Sequence, residues 1–148
     1  MIYIVTGHRL EKLENYDIDW IKLSILDILE QDKDQISVAY SGMASGVDLW
    51  FCEACHGLDI PYIACIPFQG QENTMNQEAK VLRSHLISKA KGVLTSRNSF
   101  MVEKANVGIV VWDGNKGGTH NVLQQLVENK INFYWVNPVK EVVWKCFD

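Results

Sequence analysis

The sequence predicts an α/β protein with a Rossmann-like, doubly wound and mainly parallel sheet of about six strands and helices on both faces. Short apolar runs rich in β-branched residues alternate with amphipathic, helix-like segments along the chain. Parallel neighbours need crossover connections, and right-handed crossovers place helices against both faces of a sheet. Two of the predicted strands run directly into glycine-bearing turns, as strands do at ligand-binding βα junctions.

The strands are predicted from apolar runs that end in turn residues. The run at 107–112, Val-Gly-Ile-Val-Val-Trp, has the length and β-branched content of a strand buried on both faces. Other strands are predicted at residues 2–5, 36–40, 61–66, 93–95 and 133–136. The C-terminal segment from Val139 is apolar enough to pack against the rest of the protein.

Helices are predicted where apolar residues recur at intervals of three and four. The clearest such face, between residues 17 and 30, is made by Ile18, Ile21, Ile25 and Ile28. Asp17 or Asp19 can cap the start of this helix. Further helices are predicted from residue 47, at 75–90 and 97–105, and from the turn at 114–121 to about residue 130.

Length and charge limit the possible functions. A chain of 148 residues is expected to form a single domain spanning residues 1–148. The net charge of −4 and the isoelectric point near 5.5 disfavour DNA and membrane surfaces as partners, because both are anionic. No secretory signal pattern and no apolar run of ~20 residues is present, so we expect a cytoplasmic protein.

The four cysteines include the spacing Cys52-x-x-Cys55, which occurs in zinc and redox sites. Here both residues fall inside a predicted helix, and no second Cys or His pair with zinc-finger spacing follows. We therefore expect buried or incidental thiols, with no metal and no cofactor.

The segment 114–121, Gly-Asn-Lys-Gly-Gly-Thr-His-Asn, joins the central strand to a helix. Glycine lets the backbone approach a ligand, and the first N–H groups of a helix lack intrahelical partners, so such a turn can bind an anion. A βα turn that needs glycine only for its backbone angles is the alternative. A second turn of this kind at 41–48, Ser-Gly-Met-Ala-Ser-Gly-Val-Asp, favours the anion site.

Polar residues concentrate just after the predicted strands, at the edge where open α/β sheets bind ligands. The predicted ligand-binding residues are Thr6, Gly7, His8, Arg9, Ser41, Gly42, Met43, Gly46, Asp48, Pro67, Gln71, Glu72, Arg97, Asn98, Asp113, Gly117, Gly118, Thr119 and Asn121.

Five motifs in this order resemble the YpsA-like branch of the SLOG superfamily, a Rossmann-like group that also includes DprA and the cytokinin-activating LOG phosphoribohydrolases. They are Thr-Gly-His-Arg at 6–9, Ser-Gly-Met-Ala-Ser-Gly-Val-Asp at 41–48, Pro-Phe-x-Gly-Gln-Glu at 67–72, Arg-Asn-x-x-Met-Val at 97–102 and Val-Trp-Asp-Gly-x-x-Gly-Gly-Thr-x-Asn at 111–121. The resemblance extends from residue 2 to about residue 138. It implies a nucleotide-related pocket in a group that contains enzymes, sensors and DNA-uptake proteins.

Two segments resemble the catalytic motifs of the LOG enzymes. Arg97 and Met101 reproduce an Arg-x-x-x-Met segment, and Gly118-Thr119 reproduces a glycine turn that a catalytic Glu follows in those enzymes. This chain has His120-Asn121-Val122 at that point, and an amide is not a general base. If the protein is an enzyme, the remaining catalytic candidates are Glu72, Asp113 and Arg97.

Several residues have two interpretations. Arg97 is a phosphate clamp or a surface arginine, and Asp48 binds a ribose hydroxyl or base or else stabilises its helix as a first-turn charge. His8 is an acid or base, or simply a hydrogen-bonding residue. Trp112 and Phe68 stack on a base or belong to the core.

Together these features predict binding, by sensing or sequestration, of a nucleotide or an ADP-ribose-derived small molecule. The alternative is a nucleoside monophosphate phosphoribohydrolase or N-glycosidase of the LOG type. Because LOG-like relatives pair, and because apolar surface is expected around Trp50 and Trp144, we also expect a homodimer or higher homo-oligomer.

Overall fold

The computed structural model describes residues 1–95 and 98–148. Its strands are β1 (Ile2–Gly7), β2 (Val38–Ser41), β3 (Tyr62–Ile66), β4 (Gly92–Thr95), β5 (Val107–Val111), β6 (Asn132–Asn137) and β7 (Val142–Cys146). Its helices are α1 (Leu10–Leu13), α2 (Ile18–Asp32), α3 (Val47–Gly57), α4 (Gln77–Lys89), α5 (Asn98–Lys104) and α6 (Gly118–Glu128). Short 3-10 turns occupy Lys33–Gln35 and Gln71–Thr74.

The strands form one seven-stranded sheet in the order β4-β3-β2-β1-β5-β6-β7. All neighbouring pairs are parallel except β6 and β7, which are antiparallel. From β1 the chain builds one half of the sheet outward through β2, β3 and β4, and from β5 it builds the other half in the opposite direction. The predicted doubly wound α/β fold is confirmed, and its topological switch point lies between β1 and β5.

Helices cover both faces of the sheet, and each face has its own hydrophobic core. The larger core includes residues of α2, α3 and α4, and the smaller one lies under α5 and α6. β1 supplies Tyr3 and Val5 to the larger core and Ile4 to the smaller one, because successive side chains of a strand point to opposite faces. Every residue of β5 is buried, as its apolar run predicts.

The sequence also predicts how α2 begins. Asp17 is its N-cap residue, and the carboxylate accepts a hydrogen bond of 3.1 Å from the backbone N–H of Trp20. Ile21, Ile25 and Ile28 face the core at the predicted helical spacing. One of the two capping candidates, Asp17 rather than Asp19, is therefore the cap.

Two elements are absent from the sequence prediction. The C-terminal segment packs as expected, but it does so as the edge strand β7, whose residues Val142 to Lys145 are exposed, so that no clear inside-outside alternation marks it. The single turn α1 is too short for helical periodicity to reveal it.

The structure also corrects the expectation of apolar surface around Trp50, whose side chain is buried against the core.

Candidate functional site

A cavity of about 500 Å³ opens at the carboxyl edge of the sheet, beside the switch point between β1 and β5. Its volume lies within the range of small-molecule sites. Among the described residues it is lined by Val5, Thr6, Gly7, His8, Arg9, Lys12, Gly42, Ala44, Asp48, Pro67, Phe68, Gln71, Gly118 and Thr119. The loops after β1, β2, β3 and β5 all contribute to this lining.

The loop after β1 forms the middle of the cavity wall and is fixed by close packing. A Cβ atom on Gly7 would lie 2.6 Å from the side chain of Val47 in α3, so glycine is needed here for strand and helix to meet. Gly46 has a φ of +86°, and a Cβ there would lie 2.8 Å from the backbone N of Leu10. Both glycines therefore serve the packing of the two turns, although only Gly7 also reaches the cavity.

His8 joins the loop after β1 to the loop after β5. Its Nε2 accepts a hydrogen bond of 3.2 Å from the backbone N–H of Asp113, and Asp113 Oδ1 lies 3.1 Å from the same nitrogen. Burial tends to raise the pKa of Asp113, but the N–H of Asn115, at 2.9 Å, and the neighbouring imidazole outweigh it and lower the pKa. Asp113 thus positions His8 and does not itself line the cavity.

In the loop after β2, Ser41 and Met43 have structural roles. The Ser41 hydroxyl donates to the carbonyl of Asp48 at 3.1 Å and accepts from the N–H of Met43 at 3.3 Å. The Met43 side chain is fully buried, and its sulfur lies 3.6 Å from the Cys52 thiol. Gly42, Ala44 and Asp48 are the residues of this loop that face the cavity.

Asp48 is the carboxyl group of the cavity wall. Its Oδ2 accepts a hydrogen bond of 3.2 Å from the N–H of Ala44. Burial raises its pKa to about 7, against the opposing effects of the Ala44 N–H and of the Arg9 guanidinium. The cavity therefore holds a carboxyl whose pKa burial has raised toward neutral pH.

The loop after β3 supplies a rigid polar side and an open aromatic side. Gln71 is buried, its Nε2 donates to the Gly42 carbonyl at 2.8 Å, and its Oε1 accepts from Arg83 at 3.2 Å. Glu72 does not line the cavity, because its carboxylate pairs with Arg83 at 3.4 Å. Phe68 is 53% exposed at the cavity rim, so it is not a core residue.

The N-terminus of α6 forms the opposite wall. The amide N–H groups of Gly118 and Thr119 make no hydrogen bond with the described residues, and the cap residue Gly117 brings no side-chain cap. A Cβ on Gly118 would meet no atom within 4 Å. The ammonium of Lys12 lies 3.9 Å from the position that a Cβ on Gly117 would occupy. Free N–H donors, the helix dipole and a cation thus favour an anion at this wall.

Trp112 supports this wall from outside the cavity. Its ring stacks on His120 with centroids 5.3 Å apart and contacts Trp135 at 5.2 Å, while its Nε1 donates to the carbonyl of Asn115 at 2.7 Å. Trp112 is thus a packing residue. Asn121 is exposed and does not line the cavity, because it lies on the outer side of α6.

Ten of the predicted ligand-binding residues line the cavity: Thr6, Gly7, His8, Arg9, Gly42, Asp48, Pro67, Gln71, Gly118 and Thr119. Seven others in the described part of the chain do not: Ser41, Met43, Gly46, Glu72, Asp113, Gly117 and Asn121. Arg97 and the side chain of Asn98 lie outside what the structure describes. Sequence reasoning missed Lys12, whose spacing of three from Arg9 would place both cations on one face of a helical turn.

The described residues form no metal-binding cluster and no membrane-spanning helix. In residues 1–95 and 98–148, no three His, Cys, Asp or Glu side chains come together as a metal ion would require. Cys52 and Cys55 are buried in α3, and burial raises the pKa of both thiols, as expected for structural cysteines. None of the described helices has the length and hydropathy needed to cross a membrane.

Comparison with known proteins supports the fold and not a particular activity. The chain matches no protein-family model and no curated protein sequence. It is similar to the crystal structure of TM1055, with a TM-score of 0.62 and 9% identity over 89% of this chain and 71% of that one. A second similar structure is DNA processing protein A (DprA) from Streptococcus pneumoniae, with a TM-score of 0.42 and 15% identity over 88% of this chain and 57% of that one. The similarity to TM1055 supports the α/β fold that the sequence predicts.

Proposed function

We propose that the protein is a cytoplasmic binding protein for a nucleotide or an ADP-ribose-derived small molecule, which it senses or sequesters. One observation carries this proposal: Gly118 and Thr119, whose N–H groups make no hydrogen bond with the described residues, line the same cavity as Lys12. A phosphate group at this wall would receive backbone hydrogen bonds and charge neutralisation together.

The remaining lining suits the rest of such a ligand. The half-exposed ring of Phe68 offers a surface on which a base can stack. Arg9 and Lys12 make the cavity locally cationic in a protein with a net charge of −4, which favours a small anion over a nucleic acid. The sequence motif adds Arg97 to the proposal as a phosphate clamp.

Titration calorimetry with AMP and ADP-ribose tests the proposal. In Gly118→Val the new side chain would project into the space that the phosphate must enter, so we expect an affinity loss of about 100-fold or more. The fold should persist, because a Cβ at this position meets no atom within 4 Å.

Gly57→Val is the matched control. A Cβ on Gly57 also meets nothing within 4 Å, and this residue lies at the end of α3, away from the cavity lining. Circular dichroism checks the fold of both variants. Equal affinity in folded Gly118→Val and wild type would remove the anion site from α6.

Hydrolysis of a nucleoside monophosphate is the alternative function, and Asp48 is the observation that favours it. A carboxyl with a pKa of about 7 in a cavity can donate a proton to a leaving base, whereas Glu72 and Asp113 are paired outside the lining. We expect little or no such turnover, since no carboxylate follows Thr119. Release of free base from a nucleotide panel at ~1 per second or faster would establish the enzyme instead.

We further propose that the protein forms a homodimer or a higher homo-oligomer. Apolar side chains on and beside the edge strand β7 are exposed, namely Val139, Val142, Val143 and Trp144. Such a group of residues is typical of an interaction surface. Sedimentation of the wild-type protein at micromolar concentration should give at least twice the chain mass of 16.9 kDa. The Trp144→Lys variant should shift toward the monomer. A monomeric wild-type protein would contradict the proposal.

A further inference from the structure

We infer that the cavity selects ligands in which a phosphate group and free ribose hydroxyls lie at opposite ends, with Asp48 as the acceptor for the hydroxyl hydrogens. The inference rests on the proposed phosphate site at the start of α6, and it adds the part of the ligand that the second wall recognises.

The order of the strands sets the distance between the two walls. Asp48 lies in the first turn of α3, which follows β2, while Gly118 and Thr119 begin α6, which follows β5. β1 lies between β2 and β5, so two strand spacings of about 4.8 Å each offset the two turns by ~10 Å along the sheet. Because α3 and α6 pack on opposite faces, the two walls stand on the two sides of the loop after β1. A ribose 5′-monophosphate, extended across the loop after β1, can reach both walls.

The two walls of the cavity carry opposite charges. Lys12 and the N–H groups of α6 are donors and cations, which bind a phosphate. An ionised carboxylate has acceptors only, so Asp48 can accept O–H groups but repels a second phosphate. Of the described residues, Ala44 alone donates to its side chain, and it does so to Oδ2, which leaves Oδ1 for a ligand hydroxyl.

Asp48 also gives this selectivity a pH dependence. The charged and titratable groups near it are Arg9, His8 and Lys12 of the cavity wall and the thiol of Cys52. Burial raises the pKa of Cys52 to about 12, so the thiol stays neutral. In the protein without a ligand, the pKa of Asp48 is about 7. Because hydroxyl donors bind the ionised carboxylate, the affinity for AMP should rise from pH 6 to pH 8 and level off above pH 8.

The test compares AMP with 2′,3′-dideoxy-AMP by calorimetry, because the two differ only in the ribose hydroxyls. Wild type should bind AMP about 10- to 100-fold more tightly, as expected for hydrogen bonds to a charged group. In Asp48→Asn this ratio should fall to a few-fold, and the rise of AMP affinity with pH should weaken. The second ionisation of the phosphate, with a pKa near 6, remains in the variant, so the difference between the two profiles isolates Asp48.

Asp27→Asn is the matched control, since Asp27 is exposed on α2 and outside the cavity lining. It should keep both the ligand ratio and the pH profile of wild type. The fold of Asp48→Asn should persist, because an amide oxygen can still accept the N–H of Ala44. The wild-type ratio needs no variant and keeps the test decisive if Asp48→Asn is unstable.

The outcomes separate this inference from the function on which it rests. Equal binding of AMP and its dideoxy analogue to wild type would overturn the inference and leave the phosphate site intact. An unchanged hydroxyl preference in Asp48→Asn would also overturn it. If AMP, its dideoxy analogue and ADP-ribose all fail to bind to the wild-type protein, the proposed function itself fails.

Discussion

Asp32 and Asp48 are two enclosed carboxyl groups near opposite ends of the parallel strands. Asp32 lies near the amino ends and Asp48 near the carboxyl ends, and their surroundings differ. Oδ2 of Asp32 accepts hydrogen bonds from the hydroxyls of Tyr3, at 2.7 Å, and Tyr134, at 2.8 Å. Asp48 receives one backbone hydrogen bond of 3.2 Å and faces a cavity of about 500 Å³. Two buried hydroxyls hold the first carboxyl, whereas the second has one backbone partner and an open cavity beside it.

The surroundings of Asp32 indicate a structural role, whereas those of Asp48 agree with the ligand contact proposed for it. The tyrosine hydroxyls that bind Asp32 come from β1 and β6 and are themselves buried, so the cluster ties α2 to the sheet. Burial is the largest cause of the raised pKa of both tyrosines, and Asp32 raises it further. A carboxyl whose oxygen is held by two buried hydroxyls contributes to stability, and one that faces a cavity is a candidate for binding.

The largest effect is expected from Asp32→Ala. The substitution would leave two buried hydroxyls without their acceptor, and we expect the free energy of unfolding to fall by about 3 kcal/mol. Urea denaturation measures this change, and Asp27→Ala on the exposed face of α2 should change it by less than about 0.5 kcal/mol. AMP affinity should stay unchanged in folded Asp32→Ala. A loss of affinity without a loss of stability would reverse the roles assigned to the two carboxyls.

Asp48→Asn should have the opposite effect on stability. The pKa of Asp48 is about 7 in the folded protein and near 3.8 in an unfolded chain, so its contribution to stability falls as pH rises from about 4 to 7. Removing the charge should therefore stabilise the protein at pH 8, by about 2 kcal/mol after allowance for partial exposure, and change little at pH 4. Denaturation curves at the two pH values test this. Equal stability of variant and wild type at pH 8 would show that the carboxyl is well solvated.

A smaller effect is expected from Lys12→Ala. Lys12 is exposed beside the start of α6, so its interaction with a bound phosphate is screened, and we expect AMP affinity to fall about five-fold. The loss should shrink as salt is raised. Lys33→Ala, which removes an exposed cation near Asp32 at the other edge of the sheet, should leave affinity unchanged at all salt concentrations.

Much of the fold could be predicted because its signals are local. The isoleucines of α2 recur at helical spacing, Asp17 stands where a cap is needed, and the run at 107–112 lacks any polar face. β7 and α1 were not predicted, because their local signals are weak. An exposed edge strand and a single helical turn show too little hydrophobic periodicity.

The sequence by itself determined the order of helices and strands and the edge of the sheet at which polar residues collect, because hydrophobic periodicity, capping and turn chemistry act over a few residues. Only the tertiary structure decided which of those polar residues remain available. Asp113 is engaged by His8, 105 positions away, and Glu72 by Arg83, whereas Oδ1 of Asp48 accepts no hydrogen bond from the described residues. Such pairings depend on the order of the strands and on burial, and neither is written in the residues next to each carboxyl.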